Sequence, residues 1–434
     1  MQLPPPKTMP PDFFCREFQC SRKDENMTSA VSFERRRAAV IWGLGATQII
    51  GYGTLYYSFS ILAPEMARDF AWSTEWVFGV FSASLLFGGF IAPSIGRWMD
   101  RHGAGRMMSL GSAVAALALI LCAFAPGRAT FIAGLVAIEM ASAFVLYNAA
   151  FALLVQVTPR TAQRSITHLT LIAGFASTLF WPITSLLHEH LTWREVYLIF
   201  ACINLLVCLP IHLWLASLMK AAKVNGAGVA SSNPAVAGSI STASRARAFL
   251  LMAIGFALEG FVLSALLIHM VPLLTTVGMG AGAVLVGTVF GPSQVLSRLV
   301  NMLFGKGVSP LLLAVISAAL LVAGLTVLLA SAPSIAGGVA FAILFGLGSG
   351  LTSIVQGSLP LYLFGSDGYG ALLGRISAAR LLASALAPFI FAFLMTQVGT
   401  WSALSVAILL GVAAAVAFAS IGRDRRSMAL APGT

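Results

Sequence analysis

Along this chain, long apolar runs alternate with short polar breaks. Twelve runs fall near residues 38–62, 76–95, 107–125, 130–155, 166–187, 195–219, 248–273, 281–304, 310–330, 335–363, 376–397 and 400–421. Most approach or exceed the roughly 20 residues with which a helix crosses about 30 Å of hydrocarbon. They are too long and too many to be the core helices of a soluble protein. The expected fold class is an all-α polytopic membrane protein with twelve transmembrane helices.

The rhythm breaks at 220–247, where Gly, Ala, Ser and Asn are flanked by basic residues; this reads as a flexible cytoplasmic linker. Six runs precede it and six follow, giving six-helix bundles over 38–219 and 248–421. Landmarks recur across the break: Pro64 and Pro272 are 208 positions apart, Gly96 and Gly305 209, Pro182 and Pro388 206. Three pairs at nearly one offset predict a duplicated six-helix unit. Residues 1–37, Pro-rich and then mixed in charge, read as a disordered cytoplasmic tail, with Met27 an equally good biological start. Residues 422–434 read as a second cytoplasmic tail.

Composition agrees with the pattern. Of 434 residues 58% are hydrophobic and 9% charged, against about 25% charged in soluble domains. The formal charge of +11 invites a nucleic-acid partner, but its distribution points elsewhere. With the N-terminus inside, 17 Lys and Arg flank the cytoplasmic ends of the runs, whereas the outer loops hold Arg68, Arg128 and Arg194. That is the positive-inside bias. It places both termini in the cytoplasm and makes the lipid bilayer, not nucleic acid, the expected partner. An excess of 21 Arg over 5 Lys points to a GC-rich bacterial genome and so to a bacterial inner membrane. The five cysteines show no metal-ligand spacing. The first apolar run is too long for a cleavable signal.

Charges inside the runs are the candidate chemistry, because each costs about 2.5–3.5 kcal/mol near a bilayer centre. Arg298 lies in run 8, with Gln294 one turn earlier on the same face. Its planar guanidinium suits a carboxylate; the alternative is an arginine snorkelling to the interface. Arg380, five residues beyond Arg375, reads as snorkelling in preference to ligand binding. Glu259 in run 7 and Glu139 in run 4 are candidate proton carriers or, alternatively, structural carboxyls. In run 1, Tyr52 and Tyr56 continue a stripe from Gln48, with Tyr57 beside it, and are placed to line a cavity. Trp181-Pro182 reads as a bend. His168 and His269 read as interfacial, and His188-Glu189-His190 lacks the ligands for a metal site.

The stretch Gly96-Arg97-Trp98-Met99-Asp100-Arg101-His102-Gly103-Ala104-Gly105-Arg106 is a charged, glycine-bracketed loop between two apolar runs. It resembles the loop between helices 2 and 3 of the major facilitator superfamily. The resemblance implies that Gly96, Asp100, Arg101, Gly103 and Arg106 form a conformational latch, ion-pairing with neighbouring helices when the protein is open to the outside. Gly51–Ser60, Thr192-Trp193-Arg194 and the run-8 arginine resemble the monocarboxylate and oxalate/formate branch. That branch implies Arg298 as carboxylate ligand, although monocarboxylate carriers have an aspartate where Gln294 stands. The function implied is a secondary transporter of a small organic anion, a monocarboxylate first of all. It would work as a monomer by alternating access, with no cofactor, driven by a proton or anion gradient. The alternatives are a proton-antiport exporter of drugs or hydrophobic compounds, and a non-transporting membrane sensor. An enzyme is disfavoured, since no nucleophile–base pair, metal cluster or phosphate-cradling loop is present.

Overall fold

The computed structural model describes residues 37–224 and 235–429, with side chains placed for 37–218 and 235–422. The expected N-terminal tail, the Met27 start, Cys15, Cys20, the linker as far as 234 and the side chains of the last basic cluster lie outside the described residues. Residues up to Gly43 form a unit apart from Leu44–Thr434, and every contact discussed here belongs to the second unit.

Among the described residues twelve helices are long and apolar enough to cross a membrane. They are α1 (Arg37–Asp69), α2 (Thr74–His102), α3 (Ala104–Ala123), α4 (Arg128–Val157), α5 (Ala162–His188) and α6 (Trp193–Leu218). The second set is α7 (Thr242–Met279), α8 (Gly282–Gly307), α9 (Pro310–Ser331), α10 (Ile335–Phe364), α11 (Tyr369–Gln397) and α12 (Thr400–Gly422). The duplicated prolines fall in equivalent helices, Pro64 in α1 and Pro272 in α7, Pro182 in α5 and Pro388 in α11.

Two expectations change. The Gly96–Arg106 stretch is helix, not loop: α2 runs through Gly96 to His102 and α3 starts at Ala104. The connection is the single residue Gly103, at φ +90°, a conformation only glycine adopts without strain. Charged side chains do not force an unwound backbone, because a helix satisfies its own amides while the side chains reach the headgroups. Gln156 of α4 spans the turn, accepting from Ala104 N–H (2.9 Å) and donating to the Met99 carbonyl (3.1 Å).

The end of the predicted flexible linker is also ordered. Ala237 bridges Gly365, Ser239 and Ile240 N–H donate to the Tyr362 and Leu363 carbonyls (3.1 and 3.2 Å), and Arg245 donates to the Phe364 carbonyl (3.1 Å). A helix C-terminus leaves carbonyls without intrahelical donors. At α10 this strap supplies the donors, which composition alone does not disclose.

Hydrocarbon gives no hydrophobic drive for helix association, so small residues that permit close packing decide where helices meet. The α2–α11 seam shows this. Gly89 lies against Leu381 and Leu382, Ala92 against Gly374, and Gly96 against the Gly370 carbonyl, where any side chain would overlap backbone. Beside the seam, the Asp100 carboxylate accepts N–H from Gly370 (2.9 Å) and Ala371 (2.7 Å), the first turn of α11. An anion is favoured at a helix N-terminus. Among the described residues, therefore, Asp100 is held by backbone amides and not by the ion pairs implied by resemblance; Arg101 and Arg106 are exposed.

Further contacts between the bundles lie in the same half: Phe151 and Ile166 against Gly357, and Arg298 against Thr170 and Gly174. At the other end of α1, Glu65 accepts from Trp193 N–H (2.9 Å) and meets His188 (3.3 Å), and Asp69 accepts from the Trp193 indole (2.7 Å). Those bonds tie α1, α5 and α6 within one bundle. A cleft thus closes at the Asp100 end.

Replacing Gly96 with Leu is expected to part the seam. In a background free of other cysteines, Ala92→Cys, buried in the seam, should then react several-fold faster with a polar maleimide. An unchanged rate would show that the seam does not close the cleft.

Candidate functional site

The first wall of the cleft is built on α1. Its turn Gly53–Tyr57 is a π-helix, in which a residue meets both its i+4 and i+5 neighbours. Tyr52 consequently contacts Tyr56 and Tyr57, with ring centroids 6.5 and 6.2 Å away. Such turns recur at functional sites. Gly53 lies directly on the Phe180 ring, leaving no room for a β-carbon. Asn204, opening a second π-turn in α6, donates to Thr54 Oγ1 and to the Phe200 carbonyl (both 2.9 Å). Thr54 in turn donates to the Ile50 carbonyl (2.8 Å). Polar side chains thereby serve backbone that the widened turns disturb.

Helix α4 breaks at Leu146, whose ψ of −163° ends one helical segment before Tyr147 starts the next. Gln48 donates to the Val145 carbonyl at the break (2.7 Å) and is fully buried. Expected to begin a cavity-lining stripe, Gln48 is instead a backbone cap. The break brings Tyr147 to 4.7 Å from Tyr52, stacked on Phe151 at 5.1 Å. Trp181 lies 6.0 Å from Tyr57, so it is a contact; the interruption of α5 falls at Gly174–Phe175, before Trp181-Pro182. Tyr56 and Trp181 remain 42% and 51% exposed.

The second wall is α8, α10 and α11. Gln294 donates to Ser349 Oγ (2.7 Å) and Arg298 Nη2 to Ser353 Oγ (3.0 Å), pairing one-turn spacings on α8 and α10. Arg298 also donates through Nε to the Gly350 carbonyl (3.4 Å) and through Nη1 to the Thr170 carbonyl of α5 (3.3 Å). It is 5% exposed, a strut between bundles and not a snorkelling side chain.

Arg380, expected to snorkel, packs its stem on Gly260 of α7 and lies within Coulombic range of Glu139, Tyr52 and Tyr56. Among the described residues it makes no hydrogen bond or ion pair. Glu139 sits against Gly88 of α2, one residue from the Gly89–Leu381 contact. Glu259 is elsewhere: Ser317 of α9 (2.9 Å) and Thr352 of α10 (2.8 Å) donate to its Oε1, and its buried Oε2 has no partner among the described residues. It braces the interior of one bundle.

The structure thus groups Tyr52, Tyr56 and Tyr57 on one wall, sets Arg298 between the bundles and Glu139 against α2, and leaves Gln48 and Glu259 in contacts inside their own bundles. Sequence reasoning missed Tyr147 and Asn204 as site-forming residues. A tyrosine–asparagine pair in run 4 and an asparagine in run 6 were the available signals. It misread Arg380 because distance from the helix end was weighed without the face.

The Major Facilitator Superfamily family model matches residues 44–388. The chain belongs to this superfamily. No curated protein matches. The fold is similar to that of the human organic anion transporter MFSD10 (TETRAN), at 15% identity and TM-score 0.67, covering 88% of this chain and 99% of that one. It is also similar to the proton:xylose symporter XylE bound to 6-bromo-6-deoxy-D-glucose (13%, 0.64, 88% and 95%) and to FucP in the outward conformation (14%, 0.65, 87% and 97%). This major facilitator protein is a membrane-embedded secondary transporter and not an enzyme.

Substituting Gln48 with Leu leaves the Val145 carbonyl unpaired in an apolar interior, at a cost of about 1–3 kcal/mol. The expected outcome is a lower unfolding midpoint in detergent. An unaltered midpoint would remove the capping role.

Proposed function

We propose that this transporter moves small organic anions, monocarboxylates among them, across a bacterial inner membrane, with the Asp100 end facing the cytoplasm. The observation that carries the reading is Arg380: a permanent cation with its stem on Gly260 of α7 and no hydrogen bond or ion pair among the described residues. A guanidinium at that depth is costly unless an anion or water compensates it. Arg380 binds the carboxylate, Tyr52 and Tyr56 orient it by O–H donation, and Tyr57 and Arg298 complete the site. Gln294 acts by holding Ser349 and the α8–α10 contact beside Arg298.

Glu139 is the acid that shares Arg380's field from the opposite wall. Ionised, it competes with substrate for the cation; protonated, it leaves Arg380 to the anion. That competition couples anion to proton in the same direction. Glu259, hydrogen-bonded inside one bundle, is the second proton candidate and reaches the cleft only through Arg380's field. No cofactor is needed, since the proton or anion gradient supplies the energy.

Uptake of labelled carboxylates into proteoliposomes, with and without a pH gradient, tests the reading. Losing one charge-assisted bond is worth about 1.5–3 kcal/mol, so Arg380→Gln should raise KM about 10- to 100-fold. Arg298→Gln should lower both affinity and maximal rate, because it removes a strut as well as a ligand. Glu139→Gln should abolish gradient-driven accumulation. Carboxylate uptake undisturbed in both arginine variants would refute the assignment.

A further inference from the structure

We infer that the organic part of the anion is a flat ring, so that the cleft selects aromatic carboxylates over aliphatic ones of similar size. The inference rests on the proposed anion function and concerns the wall opposite the arginines. That wall is a continuous aromatic surface. Tyr52 touches Tyr56, Tyr57 and Tyr147 at 6.5, 6.2 and 4.7 Å, Tyr56 touches Tyr57 at 5.4 Å, and Tyr57 touches Trp181 at 6.0 Å.

Exposure in a membrane protein does not by itself separate a lipid-facing ring from a cleft-facing one. The packing does: Tyr147, 4.7 Å from Tyr52, stacks on Phe151, which lies against Gly357 of the other bundle. Trp181 is edge-to-face with Tyr57 and half exposed, so the aromatic surface extends from α1 onto α5.

A two- or three-carbon acid would use a guanidinium and one hydroxyl and leave these rings wet. Several contacts are edge-to-face, at interplanar angles of 81°, 82° and 83°. In such a cluster the free faces and edges offer a new ring the offset or T-shaped geometries that aromatic pairs prefer. Arg298 and Arg380 on the facing wall are placed to bond the carboxylate or cover the ring's face. A saturated ring of equal size would gain burial but not these contacts. The wall therefore predicts a preference for aromaticity beyond mere size. The backbone devices that hold it, the Gly53–Tyr57 π-turn and the Leu146 break, fix the rings before substrate arrives.

The test is equilibrium binding of benzoate, cyclohexanecarboxylate, acetate and benzylammonium to the full-length chain in vesicles, by competition against labelled benzoate. Benzoate is expected to bind about tenfold more tightly than cyclohexanecarboxylate and about 30-fold or more above acetate. Trp181→Ala and Tyr57→Leu should bring benzoate down toward acetate, while Tyr57→Phe, which keeps the ring, should retain the preference. Arg380→Gln should weaken all three acids alike. Equal affinity for the three acids would overturn the ring inference and leave the anion reading standing. Binding of benzylammonium alone, or of none of the acids, would overturn both.

Discussion

Hydrocarbon offers no partner to an unpaired amide or carbonyl, so every irregularity in a membrane helix must be settled by the protein itself. The cleft of this transporter is assembled from such irregularities. The π-turn of α1 exists beside the Asn204–Thr54 bond, and the break in α4 exists beside Gln48. The end of α10 is finished by the linker strap. Remove these side chains and the rings of Tyr52, Tyr57 and Tyr147 lose the backbone that aims them. The polar residues deepest in the first bundle therefore act on the backbone first and on any substrate only through it.

The two walls divide their labour. The first contributes rings, hydroxyls and one carboxylate; the second contributes two guanidinium groups. One guanidinium, on Arg298, is occupied by Thr170, Gly350 and Ser353 and helps hold the bundles together. The other, on Arg380, is unoccupied by hydrogen bonds among the described residues. Asp100 adds a third, weaker element. Its bonds to helix amides, one part-buried and one exposed, are of the class worth about 0.3–1 kcal/mol, small enough to be broken each cycle.

Length and hydropathy disclosed the twelve helices, because both follow from the thickness of a bilayer. What escaped was direction. Arg380 and Arg375 differ by five residues, which says nothing of the face each presents once Gly260 packs beneath one of them. Tyr147 escaped because a helix break at Leu146 has no glycine or proline to announce it, and Gln48 was misplaced for the same reason. Glu259 kept two readings, proton carrier or structural carboxyl, because its hydroxyl partners, Ser317 and Thr352, are 58 and 93 residues away.

The bond between Asp100 and the start of α11 also bears on genetics. An ion pair between side chains can be inverted, and a damaged one is often rescued by a compensating charge elsewhere. Here the partners are the amides of Gly370 and Ala371, which no substitution short of proline removes and none can reverse in sign. Position 370 is further restricted by its contact with Gly96. A charge reversal at Asp100 should therefore yield no charge-swap suppressors at 370 or 371. Revertants would have to ease the seam or rebuild the end of the helix.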